Sequence, residues 1–143
     1  MGVKQVSIFL ENARGRLAEV TRTLSHEKIN IRALSLADTA DFGVLRIIVD
    51  NTDRCIAVLK QHGFVAQVTD VIAVEVEDKP GGLARILEVL DQDNVNVEYM
   101  YAYVEKKNKN AVVICRIDDR ERALRILEKN GIATVSAEVL KTI

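Results

Sequence analysis

The sequence predicts an α+β protein made of two ferredoxin-like βαββαβ modules in tandem, each an antiparallel four-stranded sheet with helices on one face. Three observations predict it. A stretch of about 70 residues is written twice. The hydrophobic period alternates between that of strands and that of helices, in the same order in both copies. The chain of 143 residues is 48% apolar, enough for two small cores.

The repeat is read directly. Glu11-Asn12-Ala13-Arg14-Gly15-Arg16-Leu17-Ala18 lies over Glu77-Asp78-Lys79-Pro80-Gly81-Gly82-Leu83-Ala84 at an offset of 66, which also carries Leu24 onto Leu90 and Ile29-Asn30-Ile31 onto Val95-Asn96-Val97. Val49-Asp50 and His62-Gly63-Phe64 match Ile117-Asp118 and Asn130-Gly131-Ile132 at an offset of 68. The two extra residues fall in Lys106-Lys107-Asn108-Lys109-Asn110, where a polar hairpin loop tolerates them. The modules are placed at residues 1–71 and 72–143. No Gly/Ser/Pro-rich linker separates them, so they are expected to pack together.

The elements follow in order. Val6-Ser7-Ile8-Phe9-Leu10 alternates as a strand, and a polar loop leads to Gly15. Leu17, Val20, Thr21 and Leu24 recur at three and four, the buried stripe of a helix. Asn30 to Ala37 and Val44 to Val49 form a strand pair around Asp38-Thr39-Ala40-Asp41-Phe42-Gly43. Ile56, Leu59 and Lys60 mark a second helix, capped by Thr52 or Asp53 and stopped by Gly63, before a strand at Phe64–Val68. The second copy repeats this with strands at 72–76, 95–104, 111–117 and 134–139 and helices at 82–90 and 120–129.

Two helices cover only one face of such a sheet, yet the strand at 44–49 is apolar on both sides, interrupted only by Arg46. Tyr99, Tyr101 and Tyr103 share one face of a strand by period two, and their counterparts are the small Ala33, Ser35 and Ala37. Leu34 and Leu36, matched by Met100 and Ala102, take the helix-covered side. Tyrosines on an open face predict a homodimer that covers it, against the plainer reading of a half-exposed aromatic patch.

Composition excludes several classes. Twenty basic against twenty-one acidic residues leave a net charge of −1, without the basic stripe that nucleic acid requires. No apolar run approaches a membrane span, and Met1-Gly2-Val3-Lys4-Gln5 lacks a signal-peptide pattern. Cys55 and Cys115 are far apart and read as small core residues of a reduced, cytoplasmic protein. The two histidines, His26 and His62, fall at helix ends without metal-ligand spacing or a nucleophile beside them. There is no P-loop or G-x-G-x-x-G, so no nucleotide or other cofactor is implied. Asp50 to Asp53 and Asp118-Asp119 read as acids at helix N-termini rather than a metal pair. The chain is expected to be no enzyme.

What remains is the loop before each first helix. Gly15 and Gly81 permit a tight turn and leave backbone N–H groups open at a helix N-terminus, where a carboxylate is favoured. A simple β-to-α turn accounts for the same spacing.

At these residues the sequence resembles the ACT domain family. Asp78-Lys79-Pro80-Gly81-Gly82-Leu83-Ala84-Arg85-Ile86 followed by Asn94-Val95-Asn96-Val97 is similar to its D-x-P-G-x-L…N-I/V motif, with a weaker copy at Glu11 to Leu17 and Ile29-Asn30-Ile31. The resemblance extends to small stand-alone proteins of two ACT domains. It implies a βαββαβ module that binds a free amino acid and regulates amino-acid metabolism. It also implies a pocket where the glycine loop of one module meets the early second strand of a neighbour. Carried over, Asn12, Arg14, Gly15, Arg16 and Leu17 with Asn30 and Ile31 would line one pocket, and Asp78, Gly81, Gly82 and Leu83 with Asn96 and Val97 another. Backbone N–H groups would take the ligand carboxylate, and Asn or Asp the ammonium. Arg14 stands where the family often has Pro, so one copy is open to being structural. If the chain regulates, its partner is a separate metabolic enzyme, and the homodimer is expected from the tyrosine face rather than from the resemblance. The alternatives are a regulatory subunit of a multi-chain enzyme such as acetolactate synthase, a purely structural dimerisation module, and an acylphosphatase-like hydrolase for which Arg14 and Asn30 are the only loose candidates.

Overall fold

The computed structural model describes residues 2–38, 41–103 and 110–142. Thr39-Ala40 of the first strand connection and Lys106 to Lys109 of the expected hairpin loop lie outside them. Twelve elements follow in chain order: β1 Val3–Glu11, α1 Arg16–His26, β2 Ile31–Asp38, β3 Phe42–Val49, α2 Thr52–Gln61, β4 Val65–Glu77, α3 Gly82–Gln92, β5 Val97–Tyr103, β6 Asn110–Ile117, α4 Arg120–Lys129, β7 Thr134–Val135 and α5 Ala137–Thr142. They form two compact units, Lys4–Thr69 and Asp70–Ile143 with Met1–Val3. We call these the first and second unit.

In the first unit the strand order is β2-β3-β1, with β4 next to β1. β1 pairs antiparallel with β3 (Val6 opposite Ile47, Ile8 opposite Leu45), and β3 pairs antiparallel with β2 (Leu34 opposite Ile47, Leu36 opposite Leu45). In the second unit β6 lies between β4 and β5, and β7 flanks β4.

The duplication is written into the two cores position for position. In the first, Val6, Ile8 and Leu10 of β1 and Leu45, Ile47 and Val49 of β3 meet Val20 and Leu24 of α1 and Cys55, Val58 and Leu59 of α2, closed by Ile29 and Phe64. Adding 66 or 68 gives the second core: Ile72, Val74, Val76, Val113, Cys115, Ile117, Ile86, Leu90, Ala123, Ile126, Leu127, Val95 and Ile132. Every site keeps its apolar character while size varies, as close packing around one shared backbone plan allows. Both thiols belong to these cores, and burial pushes Cys55 up to about 12 and Cys115 up to about 11.

Several expectations are corrected. The strands expected at 64–68 and 72–76 are one strand, β4, because no turn residue interrupts Val65 to Glu77. The strand expected at 134–139 stops at Val135. There Ser136 turns the chain into α5, its carbonyl accepting from Leu140 N at 3.0 Å and its Oγ from Val139 N at 3.2 Å, as an N-cap does. The buried stripe of α2 is Cys55, Val58 and Leu59, with Ile56 only partly buried and Lys60 exposed. Its cap is Asn51, whose Oδ1 accepts from Arg54 N at 3.1 Å, one residue earlier than Thr52. Leu17 is 42% exposed rather than buried, since it lies in the first turn of α1, ahead of the buried Val20 and Leu24. Leu34 and Leu36 face the same side as Ile47 and Leu45, but β2 is the edge strand and they stay 58% and 49% exposed.

The opposite sheet faces are buried in the single chain at Gln5, Ser7, Ala33 and Ile48 of the first unit and at Ala73, Val112, Ile114 and Tyr103 of the second. The Tyr103 hydroxyl donates to the α5 carbonyl of Leu140 at 3.1 Å. Tyr99 and Tyr101 are half-buried.

Candidate functional site

The glycine loops are built alike. Gly15 and Gly81 both sit at φ 87°, a left-handed conformation that costs other residues roughly 1–2 kcal/mol. The loop bonds also correspond: Ala13 N donates to Glu11 O at 2.8 Å and Lys79 N to Glu77 O at 2.9 Å. Arg16 N donates to Ala13 O, and Gly82 N to Lys79 O. In contrast to α2 and α4, which are capped by the side chains of Asn51 and Asp119, α1 and α3 start at glycine with no side-chain cap. First-turn N–H groups without a side-chain acceptor are where an anion is favoured. Only α1 carries an acid in that turn, Glu19; α3 has none.

The two units part company one residue further on. In the second unit a cavity of about 250 Å³ lies against the start of α3. Gly81, Gly82, Arg85 and Ile86 of the loop and helix line it, with Glu75 and Glu77 at the end of β4, Lys79, Asn110 at the start of β6, and Gly131-Ile132-Ala133 after α4. A Cβ on Gly82 would collide with the carbonyl oxygen of Glu77, so only glycine lets the helix start this close to β4. The first unit has Arg16 at this position and Phe64 where the second has Ile132. The Arg16 guanidinium sits 5.3 Å from the Phe64 ring centroid and pairs with Glu19 at 2.8 Å.

The cavity carries both signs of charge. Lys79 Nζ lies 2.7 Å from Glu77, and this hydrogen bond holds the Glu77 carboxyl below the usual carboxylate range. Asn110 Nδ2 donates to Glu75 at 3.1 Å, and Arg85 donates to the carbonyl of Asn130 at 3.1 Å. Carboxylates beside cationic side chains and a helix start suit a small zwitterion.

Of the residues singled out from sequence, Gly81 and Gly82 line this cavity. Asp78 is exposed in the same loop, and Leu83 in the first turn is 40% exposed, as Leu17 is at the matching place. Asn12 anchors the first loop through its N–H to Asp41 O at 2.9 Å, and Arg14 is exposed. Asn30 and Asn96 lie elsewhere. They precede β2 and β5, at the far ends of α1 and α3, which as 11-residue helices span about 16 Å. Their N–H groups donate to Asp50 at 3.1 Å and Asp118 at 3.2 Å. Within one unit, then, the glycine loop and the Asn-Ile or Asn-Val pair are not brought together. Asn30 and Ile31 border a shallow depression with Thr21, Ser25, Lys28 and Ile29. Glu75, Glu77, Lys79, Arg85, Asn110 and Gly131 were not picked out; Gly131 did stand in a repeated tripeptide, but as a helix stop. Among the described residues no cluster of His, Cys, Asp or Glu is arranged to hold a metal ion, and no helix is long and apolar enough to cross a membrane.

The chain belongs to the ACT domain pair family, which matches residues 1–143. Protein BT0572 from Bacteroides thetaiotaomicron is 39% identical, with a TM-score of 0.92 over 100% of this chain and 98% of that one. The regulatory subunit of aspartate kinase from Thermus thermophilus shares the fold at 16% identity, with a TM-score of 0.63 over 88% of this chain and 91% of that one. The corresponding subunit from Thermus flavus does so at 14% identity and a TM-score of 0.59, over 88% and 90%. No curated protein matches. Family membership supports a regulatory, ligand-binding role.

Proposed function

We propose that the chain is a non-catalytic sensor of a free amino acid, and that the second unit holds the ligand. The observation that carries this is the cavity of about 250 Å³ at the uncapped start of α3, bordered by acidic and basic side chains. Its size is below the roughly 300–1,000 Å³ typical of drug-sized ligands and suits a single small metabolite. The ligand carboxylate would lie at the first turn of α3 beside Arg85, and its ammonium toward Glu75 and Glu77. In the first unit Arg16 stacked on Phe64 leaves that copy structural. Asp78, Leu83 and the exposed Asn12, Arg14 and Leu17 shape or flank the loops, while Asn30, Ile31, Asn96 and Val97 order the strand starts.

Binding would change the loop equilibrium, and a separate metabolic enzyme would read that change, with a coupling on the order of 1–3 kcal/mol. A regulatory subunit of a multi-chain enzyme is the second reading, supported by the shared fold with aspartate kinase regulatory subunits. Co-purification of a larger catalytic chain would distinguish it. A thermal-shift screen against the twenty amino acids tests the sensing role: at least one raises the melting temperature of the wild type and fails to raise that of R85Q. A flat response to all twenty contradicts it.

A further inference from the structure

The last helix of the second unit lies on the sheet face that α3 and α4 leave open. Tyr103 stands opposite Val112 on that face, and its hydroxyl donates to the Leu140 carbonyl of α5 at 3.1 Å. Tyr103, Val112 and Leu140 are all buried. The duplication gives this spot a counterpart in the first unit. There Val44 lies between Ala37 and Phe9, as Val112 lies between Tyr103 and Glu75. The first unit does not turn into a helix after its last strand, because β4 runs on unbroken to Glu77. The side chains differ to match. The second unit has Glu75 and Asn110, hydrogen-bonded to each other at 3.1 Å. At these two places the first unit has Phe9 and Phe42, two of the three phenylalanines in the chain, left 40% and 59% exposed. Ala37 beside them is exposed and Val44 half-buried. Apolar groups gathered on a surface, rather than scattered singly, mark an interaction site. Two exposed carboxylates border the aromatic pair: Glu11, opposite Phe42 in the ladder, and Asp41, next to Phe42 in the chain.

We propose that the face formed by Phe9, Ala37, Phe42 and Val44 docks a short, basic, amphipathic helix of another protein, seated as α5 is seated on the second unit. Apolar side chains one turn apart on that helix cover the two phenylalanines. Its lysines or arginines meet Glu11 and Asp41, where opposite charge fixes orientation and rejects acidic partners. The duplicated site supplies the pattern for the occupant: α5 turns Leu140 inward, 3% exposed, and keeps Val139 and Lys141 outward. A second copy of this chain does not supply the helix, since its α5 is held on its own sheet through Leu140 and Tyr103. The assignment does not rest on the amino-acid site, and it is tested without amino acid.

The probe is a synthetic helix of about 15 residues, long enough to hold its turns, made of alanine and lysine with a pair of leucines one turn apart. A control peptide carries glutamate in place of every lysine. Titrated into the nitrogen-15-labelled full chain, the basic peptide is expected to shift the amide signals of Phe9 to Glu11 and Phe42 to Val44. It is expected to bind about fivefold more tightly than the acidic control, a margin that salt reduces. E11Q/D41N is expected to erase that margin and leave the fold intact, since both carboxylates are exposed. F9S/F42S is expected to abolish binding of the basic peptide with an unchanged circular dichroism spectrum. Shifts confined to other strands, equal binding of the two peptides, or binding that F9S/F42S leaves intact overturns the proposal. So does a wild-type dimer that F9S/F42S converts to monomer, because the face is then covered by a second copy.

Discussion

The guanidinium of Arg16 lies over the ring of Phe64, 5.3 Å from its centroid, where the duplicated unit has Gly82, Ile132 and a cavity. The two copies share their core positions and loop bonds, so this difference lies in side chains that the common backbone does not dictate. The proposed difference between the two copies as ligand sites rests on this arginine and its aromatic ring. R16G/F64I gives the first unit the second unit's residues at both places. It is expected to lose about 2 kcal/mol of stability, from the cation–π contact and the reduced core side chain. It is also expected to gain a second, weaker ligand site, visible as added binding stoichiometry in calorimetry.

The glycine loops separate conformation from ligand. An added Cβ at Gly15 or Gly81 meets no atom within 4 Å, so the cost of alanine at either is backbone strain alone. G15A and G81A are each expected to lose roughly 1–2 kcal/mol in urea unfolding. Only G81A is expected to weaken amino-acid binding. Equal effects of the two on binding would contradict the assignment to the second unit.

Capping makes a matching contrast. D119A removes the acceptor that holds Arg122 N at 3.2 Å, and N51A the one that holds Arg54 N at 3.1 Å. Each is expected to cost about 1 kcal/mol, within the usual range for a lost N-cap, as measured by the unfolding midpoint.

Alkaline stability follows from the buried thiols. Their folded pKa values, about 12 for Cys55 and about 11 for Cys115, lie above the ordinary 9.0, so the unfolded chain ionises first as pH rises. Their contribution is whole below pH 9 and is lost as pH climbs through the folded values. C55A/C115A is expected to flatten the fall in stability above pH 9, read by denaturant unfolding at stepped pH.

Most of the fold was legible because a duplication doubles the signal. Val20 and Ile86, or Ile47 and Cys115, are weak hints singly and strong ones as a pair at fixed spacing. What was missed depends on edges and ends. Leu34 and Leu36 carry the right face but no sign that β2 has no neighbour beyond it. Ser136 looks like any strand serine until its carbonyl and hydroxyl are seen to start α5. At the site, Gly81 and Gly82 were legible through the loop motif. Glu75, Arg85 and Asn110 were not, since strand end, helix and distant hairpin meet only in three dimensions.

Calorimetric titration of the wild-type chain with the amino acid that gives the largest thermal shift tests the central claim most directly. One site per chain, weakened by E75Q/E77Q and untouched by R14Q, is the predicted result. Two equal sites per chain, or binding that E75Q/E77Q leaves unchanged, would contradict it.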